Sequence, residues 1–268
     1  MTTMDAAALR RTAQQPFGLV VEAPGGDADL RELPPRTLAE WTEEHRVLVL
    51  RGFRLLDKPD LVTYCEAWGE ILMWDFGAVL ELVIQDDAQN YLFTRGEVPF
   101  HWDGAFARVD PRFFLFQCVQ APAAGGGGET VFSDTTRVVA DADPATVRRW
   151  ETLSVAYRTE KLAHYGGEIT KPLLSRHPSS GATTIRYAEP LPADRFLNPL
   201  SVRVEGVEAA EQEQFAAELA DLLHRDEYCY AHEWRDGDIV VADNHALVHG
   251  RNAFRGDASR VLQRIQVI

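Results

Sequence analysis

The stretch FHWDGAF, Phe100 to Phe106, holds the first pairing of side chains able to do chemistry. In an extended strand alternate residues face one side, so His101 and Asp103 project together while Trp102 points away. One imidazole and one carboxylate on a common face are part of a metal site. By itself His-x-Asp is as much at home on a surface strand. It gains meaning from a second segment, DIVVADNHALVHGRNAF, which ends an expected strand with Asp243, Asn244, His245 and His249. A distant histidine joined to His-x-Asp makes the two-histidine, one-carboxylate set that holds Fe(II) on one face and leaves about three positions open. Those positions admit a 2-oxo acid, chelating through its keto oxygen and neighbouring carboxylate, together with dioxygen.

The far carboxylate of such a cosubstrate needs a fixed cation, and arginine suits because its planar fork pairs bidentately and keeps its charge when partly buried. Arg260 and Arg264 lie four apart in SRVLQRIQV and so share a face of the expected strand. Arg260, Leu262, Arg264 and Gln266 fall on one side, and Val261, Gln263, Ile265 and Val267 on the other. The largely polar face fits a hydrated barrel mouth and outside solvent equally. The glycine run Gly125 to Gly128 lacks the Gly-Lys-Ser/Thr ending of a phosphate loop and opens no helix, so it reads as a loop between strands.

The elements that must position these residues are mostly short and β-rich. Strands are expected at 47–53, 81–85, 113–119, 130–134, 183–187, 238–243 and 260–268. Helical spacing marks 37–46, 59–69, 144–152 and 207–224, the last with Phe215, Leu219, Leu222 and Leu223 on one face. Many short strands with few helices predict a β-sandwich or jelly roll, mostly β with flanking helices. The lack of regular strand and helix alternation disfavours a doubly wound parallel sheet. No linker or repeat divides the chain, so residues 1–268 read as one domain, with 1–36 an N-terminal extension of no defined pattern.

Composition narrows the function. The chain has 268 residues, 46% hydrophobic and 25% charged, the profile of a globular protein with a full-sized core. A formal net charge of -14 repels phosphate backbones and anionic lipid heads, which argues against nucleic-acid and membrane partners. Cys65, Cys118 and Cys229 are widely spaced and odd in number, as expected of small buried hydrophobes in a reducing compartment. The N-terminus offers no apolar run for a signal peptide, so a cytoplasmic location is expected.

The order of His-x-Asp, a Gly-rich stretch ending in Thr, a distal Asp-Asn-x-x-x-x-His, and Arg eleven and fifteen positions beyond that His resembles the taurine dioxygenase (TauD/TfdA) family of Fe(II)- and 2-oxoglutarate-dependent oxygenases. The resemblance implies a double-stranded β-helix, a cupin-like jelly roll, with His101, Asp103 and His249 as the catalytic iron ligands. It implies that Arg260 and Thr130 hold the far carboxylate of 2-oxoglutarate. Arg264 would lie beside the near carboxylate or a substrate anion. The family register favours His249 over His245. Where taurine dioxygenase has a histidine that helps bind the sulfonate, GEILMWDFG here places Trp74, which makes taurine an unsuitable substrate.

Trp74, Phe76, Phe106, Tyr157 and Tyr165 could form an aromatic wall, and YRTEKLAHYGG groups Arg158, Lys161, His164 and Tyr165 in a region that supplies variable substrate loops. Each of these also has a plain reading, as a core aromatic or a solvated charge. HWDGAF, FQCVQAP, the Gly-rich stretch and YRTEKLAHYGG resemble the PvcB-like subgroup that acts on amino-acid-derived isonitriles. That resemblance implies desaturation, with or without decarboxylation, of an anionic aromatic isonitrile to a vinyl isonitrile in secondary metabolism. The alternatives are a hydroxylase of a free or carrier-bound amino acid, and, in a different class, a redox-silent jelly-roll binding module or zinc hydrolase. Self-association is left open.

Overall fold

A computed structural model describes residues 4, 8–107, 109–160 and 167–268. Its centre is two facing sheets. The larger has seven strands in the order Arg10–Ala13, Leu19–Glu22, Val47–Arg51, Ile239–Asp243, Phe113–Gln120, Val261–Val267 and Val79–Leu82. Its pairings are antiparallel except that Leu19–Glu22 runs parallel to Val47–Arg51. The smaller has four, Cys229–His232, Thr130–Asp134, Leu247–Arg251 and Val98–His101, all antiparallel. This mostly β, jelly-roll arrangement is the one expected from the run of short strands.

Strand alternation explains why the central strands read as continuous apolar runs. Val47 and Val49, Phe114 and Phe116, and Val240 and Ala242 point inward, where they meet Phe132 and Leu247 of the smaller sheet. Leu48 and Leu50, Phe113 and Leu115, and Ile239 and Val241 point outward, where Leu38, Leu61 and Cys65 of two helices cover them. The other face of the smaller sheet, through Phe100 and Val248, packs on Phe215, Leu219 and Leu223 of the helix Gln212–Leu223. Between Asp134 and Cys229 the chain inserts a three-stranded sheet of Glu168–Pro172, Ser154–Thr159 and Leu200–Glu205.

Several expected boundaries move for local reasons. The helix at 59–69 spans Lys58–Glu66, because Asp57 caps it by accepting the Asp60 N–H at 2.9 Å. The strand at 47–53 stops at Arg51, and Phe53–Arg54 pairs instead with Ala28–Asp29. The strand at 81–85 sits at Val79–Leu82, and that at 183–187 shortens to Thr183–Ile185. The helix at 207–224 divides into a 3-10 turn, Ala209–Glu211, and the helix proper, with Leu222 only half-buried. Within the first 36 residues, Arg10–Ala13 and Leu19–Glu22 extend the large sheet. Cys65 and Cys118 are buried as expected, while Cys229 is half-buried.

Gly250 marks how tightly the two site-bearing strands approach. A Cβ there would lie 2.5 Å from the Val98 carbonyl oxygen on the partner strand. Gly250→Ala should therefore destabilise the fold by roughly 1–3 kcal/mol through overpacking, read from the urea midpoint at constant slope.

Candidate active site

The smaller sheet brings the two distant motifs together. Leu247–Arg251 pairs with Val98–His101 so that His249 lies opposite His101, their rings 4.3 Å apart. Beyond His101 the chain leaves the sheet and turns, returning Asp103 to the same place. Asn244 fixes that turn from the other motif: its Oδ1 accepts the Asp103 N–H at 2.9 Å, and its Nδ2 donates to the carbonyls of Asp103 and Pro111, both at 2.8 Å. Ligand atoms of His101, Asp103 and His249 then lie within 4.8 Å of one another, the one such three-residue group among the described residues. Trp102 points to the opposite face, into the core beyond the smaller sheet.

Charge around the triad is set by the last strand. Arg264 Nη1 donates to both Asp103 carboxylate oxygens at 3.0 and 3.2 Å, and Gln266 Nε2 donates to Oδ2 at 2.6 Å. Burial pushes the Asp103 carboxyl up, but Arg264, His249, His101 and Gln266 outweigh it and hold the group below its usual range. Burial lowers His101 despite the Asp103 charge, and burial followed by the His101 charge pushes His249 down to about 3. Neutral imidazoles beside an anionic carboxylate are the protonation states a divalent metal requires. His249 is 4% exposed, packs on Phe114 at 4.5 Å, and its Nδ1 is buried without a hydrogen-bond partner. The donor set and this unsatisfied nitrogen fit a bound metal.

Two cavities meet at these residues. One, about 370 Å³, is lined by His101, His249, Thr130, Arg251, Arg260 and Arg264. Arg260 is 5% exposed, and its Nη1 donates to the Gly128 carbonyl and, at 3.1 Å, to Thr130 Oγ1. Gly128 adopts φ +76°, and a Cβ there would collide with the Phe254 ring at 2.2 Å, so the glycine loop can present that carbonyl only without a side chain. Burial, then the charge of Arg251, pushes Arg260 down to about 9. Among the described residues no carboxylate pairs with it. The second cavity, about 810 Å³, lies across His101, Asp103 and Arg264 and is walled by Trp74, Phe106, Leu191 and Leu200.

The structure sorts the remaining sequence candidates. His245 stands apart from the triad: its Nδ1 takes a hydrogen bond from Arg186, and burial followed by the Arg186 charge pushes it down to about 4. Trp74 lines the larger cavity and donates Nε1–H to Gln266 Oε1 at 2.6 Å, which ties that wall to Asp103. Phe76 stacks on Trp74 at 6.0 Å and is not among the lining residues. Tyr157 is no wall residue, being fully buried with its hydroxyl donating to the Arg186 carbonyl at 3.1 Å; it lies behind Phe106. Arg158 points to solvent. Lys161, His164 and Tyr165 lie outside the described residues.

Asn90, Tyr91, Leu92, Asn198 and Arg251 were not singled out by their sequence patterns. Arg251 alone had a usable signal, since it falls two residues past His249 and thus on the same strand face. It donates to the carbonyls of Leu92, Thr94 and Gly96 at 2.8, 2.7 and 2.6 Å, holding the segment that lines both cavities.

Two outcomes follow from this geometry. Asn244→Ala should weaken metal affinity roughly 10–100-fold in a chelator competition, although no atom of Asn244 is a ligand, because Asp103 loses both backbone anchors. In metal-free protein, His249 has a folded pKa below its unfolded value. Its contribution to stability should be complete above about pH 6.5 and be lost as pH falls toward about 3. Urea titrations of the chelated protein from neutral to acid pH should show this slope, and His249→Phe should flatten it.

The chain was compared with known proteins. It is 50% identical over 254 residues to the 3-((Z)-2-isocyanoethenyl)-1H-indole synthase of Fischerella ambigua, covering 94% of this chain and 93% of that protein. It is 37% identical over 258 residues to the tyrosine isonitrile desaturase of Pseudomonas aeruginosa, covering 95% and 88%. The solved structure of PvcB, described as an Fe, alpha-ketoglutarate dependent oxygenase from an isonitrile synthetic pathway, superposes with a TM-score of 0.80 at 33% identity, covering 100% of this chain and 94% of PvcB. The family model "Taurine catabolism dioxygenase TauD, TfdA family" matches residues 11–266, and the chain belongs to that family.

Proposed function

We propose that this protein is a non-haem Fe(II)- and 2-oxoglutarate-dependent oxygenase that desaturates an aromatic isonitrile acid derived from an amino acid to a vinyl isonitrile. The observation that carries the reading is the meeting of two unlike cavities at one triad. The smaller is cationic, lined by Arg251, Arg260 and Arg264 with no carboxylate among its described lining residues, and suits a dianionic oxo acid. The larger is walled by aromatic and aliphatic side chains and suits a ring-bearing substrate.

In this reading His101, Asp103 and His249 hold the iron. When bound with 2-oxoglutarate and dioxygen, the iron would supply an oxidant able to remove hydrogen from a substrate carbon, at the expense of converting the oxo acid to succinate and CO2. Arg260 and Thr130 receive the far carboxylate of 2-oxoglutarate, in a pocket dry enough to make that pairing strong. Arg264 braces Asp103 and lies where the near carboxylate or the substrate's own carboxylate must come. Trp74, Phe106, Leu191 and Leu200 place the ring and keep water from the benzylic carbon. Loss of two hydrogens with formation of one water balances desaturation, and release of the substrate carboxylate as a second CO2 balances the decarboxylative form. The greater identity to an isocyanoethenyl-indole synthase favours the decarboxylative form and an indole ring.

The test is an anaerobic titration with Fe(II) and 2-oxoglutarate, watching for the visible charge-transfer band of the chelate, followed by turnover of tryptophan isonitrile, tyrosine isonitrile and tryptophan. The band is expected in wild type and in His245→Ala and should be absent in His249→Ala. One succinate should form per vinyl isonitrile. Oxidation of tryptophan alone would overturn the isonitrile assignment. Arg260→Ala should raise the 2-oxoglutarate Michaelis constant by an amount equivalent to roughly 2–5 kcal/mol, since it removes the partner of a desolvated carboxylate.

A further inference from the structure

We propose that Trp234 is a positioning residue for the cosubstrate: its indole N–H fixes the direction in which Thr130 donates a hydrogen bond to the far carboxylate. This inference rests on the cosubstrate site proposed above. Trp234 follows the strand Cys229–His232, whose His232 pairs with Thr130 in the neighbouring strand. Its Nε1 donates to Thr130 Oγ1 at 3.1 Å, and Arg260 Nη1 donates to the same oxygen at 3.1 Å.

A threonine hydroxyl has two acceptor lone pairs and one hydrogen to give. Indole N–H and guanidinium N–H are donors only, so neither can exchange roles with the hydroxyl. With both lone pairs engaged, the hydroxyl hydrogen is directed away from Trp234 and Arg260. Thr130 also lines the cationic cavity beside His101, His249 and Arg260, where an anionic acceptor would lie. Removing the indole N–H frees one lone pair and lets the hydroxyl rotate to other acceptors.

The indole is held firmly enough to do this. It is 7% exposed and sits edge-on to Phe116 at 5.9 Å and to His232 at 4.5 Å. His232 Nε2 lies 3.1 Å from Asp238 Oδ2, and Asp238 is paired with Arg51 at 2.9 Å. Trp234 also offers its face to the Arg260 guanidinium at 5.5 Å, so one side chain orders both groups assigned to the far carboxylate. Rings flank the buried arginine here, and among the described residues no carboxylate forms an ion pair with it, which leaves its charge for an incoming anion.

The experiment is anaerobic calorimetric titration of the Fe(II)-loaded protein with 2-oxoglutarate and with 2-oxobutyrate, which offers the same chelating group and lacks the far carboxylate. Trp234→Phe keeps an aromatic ring and loses the N–H. It should weaken 2-oxoglutarate roughly tenfold and leave 2-oxobutyrate unchanged, which also reports that the variant is folded. In a Thr130→Val background, Trp234→Phe should cause no further loss, because the hydroxyl it orients is gone. Thr130→Ser should keep both the affinity and its sensitivity to Trp234→Phe. Unchanged 2-oxoglutarate binding in Trp234→Phe, an equal loss for both oxo acids, or additive losses with Thr130→Val would each overturn the assignment. Wild-type protein that fails to prefer 2-oxoglutarate over 2-oxobutyrate would overturn the far-carboxylate site itself, and this inference with it.

Discussion

The register between Val98–His101 and Leu247–Arg251 is the constraint on which the site depends. Side chains in a strand change face at every residue, so a slip by one would carry His249 into the core beyond the smaller sheet and bring Val248 in its place. Phe100 and Val248 resist that slip by packing on the outer face, and Gly250 lets the two backbones approach closely. Asn244 ties the turn after His101 to the turn before His249, so the carboxylate follows the same register as the imidazoles.

Inside this frame the dominant energetic feature is an excess of buried positive charge. Arg251 and Arg260 are each pushed below the normal arginine range by burial, Arg251 to about 10 and Arg260 to about 9, and among the described residues only Arg264 of the three cavity arginines has a carboxylate partner. Burying a cation without an anion is costly. The fold spreads that cost over backbone carbonyls of Gly128, Leu92, Thr94 and Gly96 and over the faces of Trp234 and Phe254. Carbonyls and rings solvate the charge partly and leave it able to attract an anion, a state suited to binding and poorly suited to stability. The apolar cavity contributes the opposite property. Part of its wall, Leu191 and Leu200, comes from the insertion between Asp134 and Cys229, and Leu92 from the segment that Arg251 holds, so that part of the substrate contact can vary while the metal frame stays fixed.

Much of this was legible in the sequence because strand chemistry has a short period. Arg264 and Gln266 share a face by alternation alone, the His-x-Asp pair was visible although a turn and not a strand returns Asp103 beside His101, and the jelly roll follows from many short apolar runs. The first 36 residues were not legible, since four-residue strands at Arg10–Ala13 and Leu19–Glu22 are too short to show a pattern and gain stability only from pairing in the large sheet. Tyr157 misled because an aromatic residue in a strand looks alike whether it lines a cavity or backs one.

The sequence by itself determined the types of chemistry present: a His-x-Asp pair with histidines in a distant segment, two arginines on one strand face, and a net negative charge. Short spacings carried the pieces, His-x-Asp in one segment and the two arginines in one strand, while the charge is a sum over the whole chain and needs no fold. Only the tertiary structure decided between His245 and His249 on geometric grounds, by turning the first toward Arg186 and the second toward His101. It alone brought Arg260, Thr130 and Trp234 into one hydrogen-bonded group, and Arg251 onto the carbonyls of a distant loop. Those hydrogen bonds join residues 104 to 159 positions apart in the chain, and bonds of that kind depend on how the sheets stack, which no local spacing encodes.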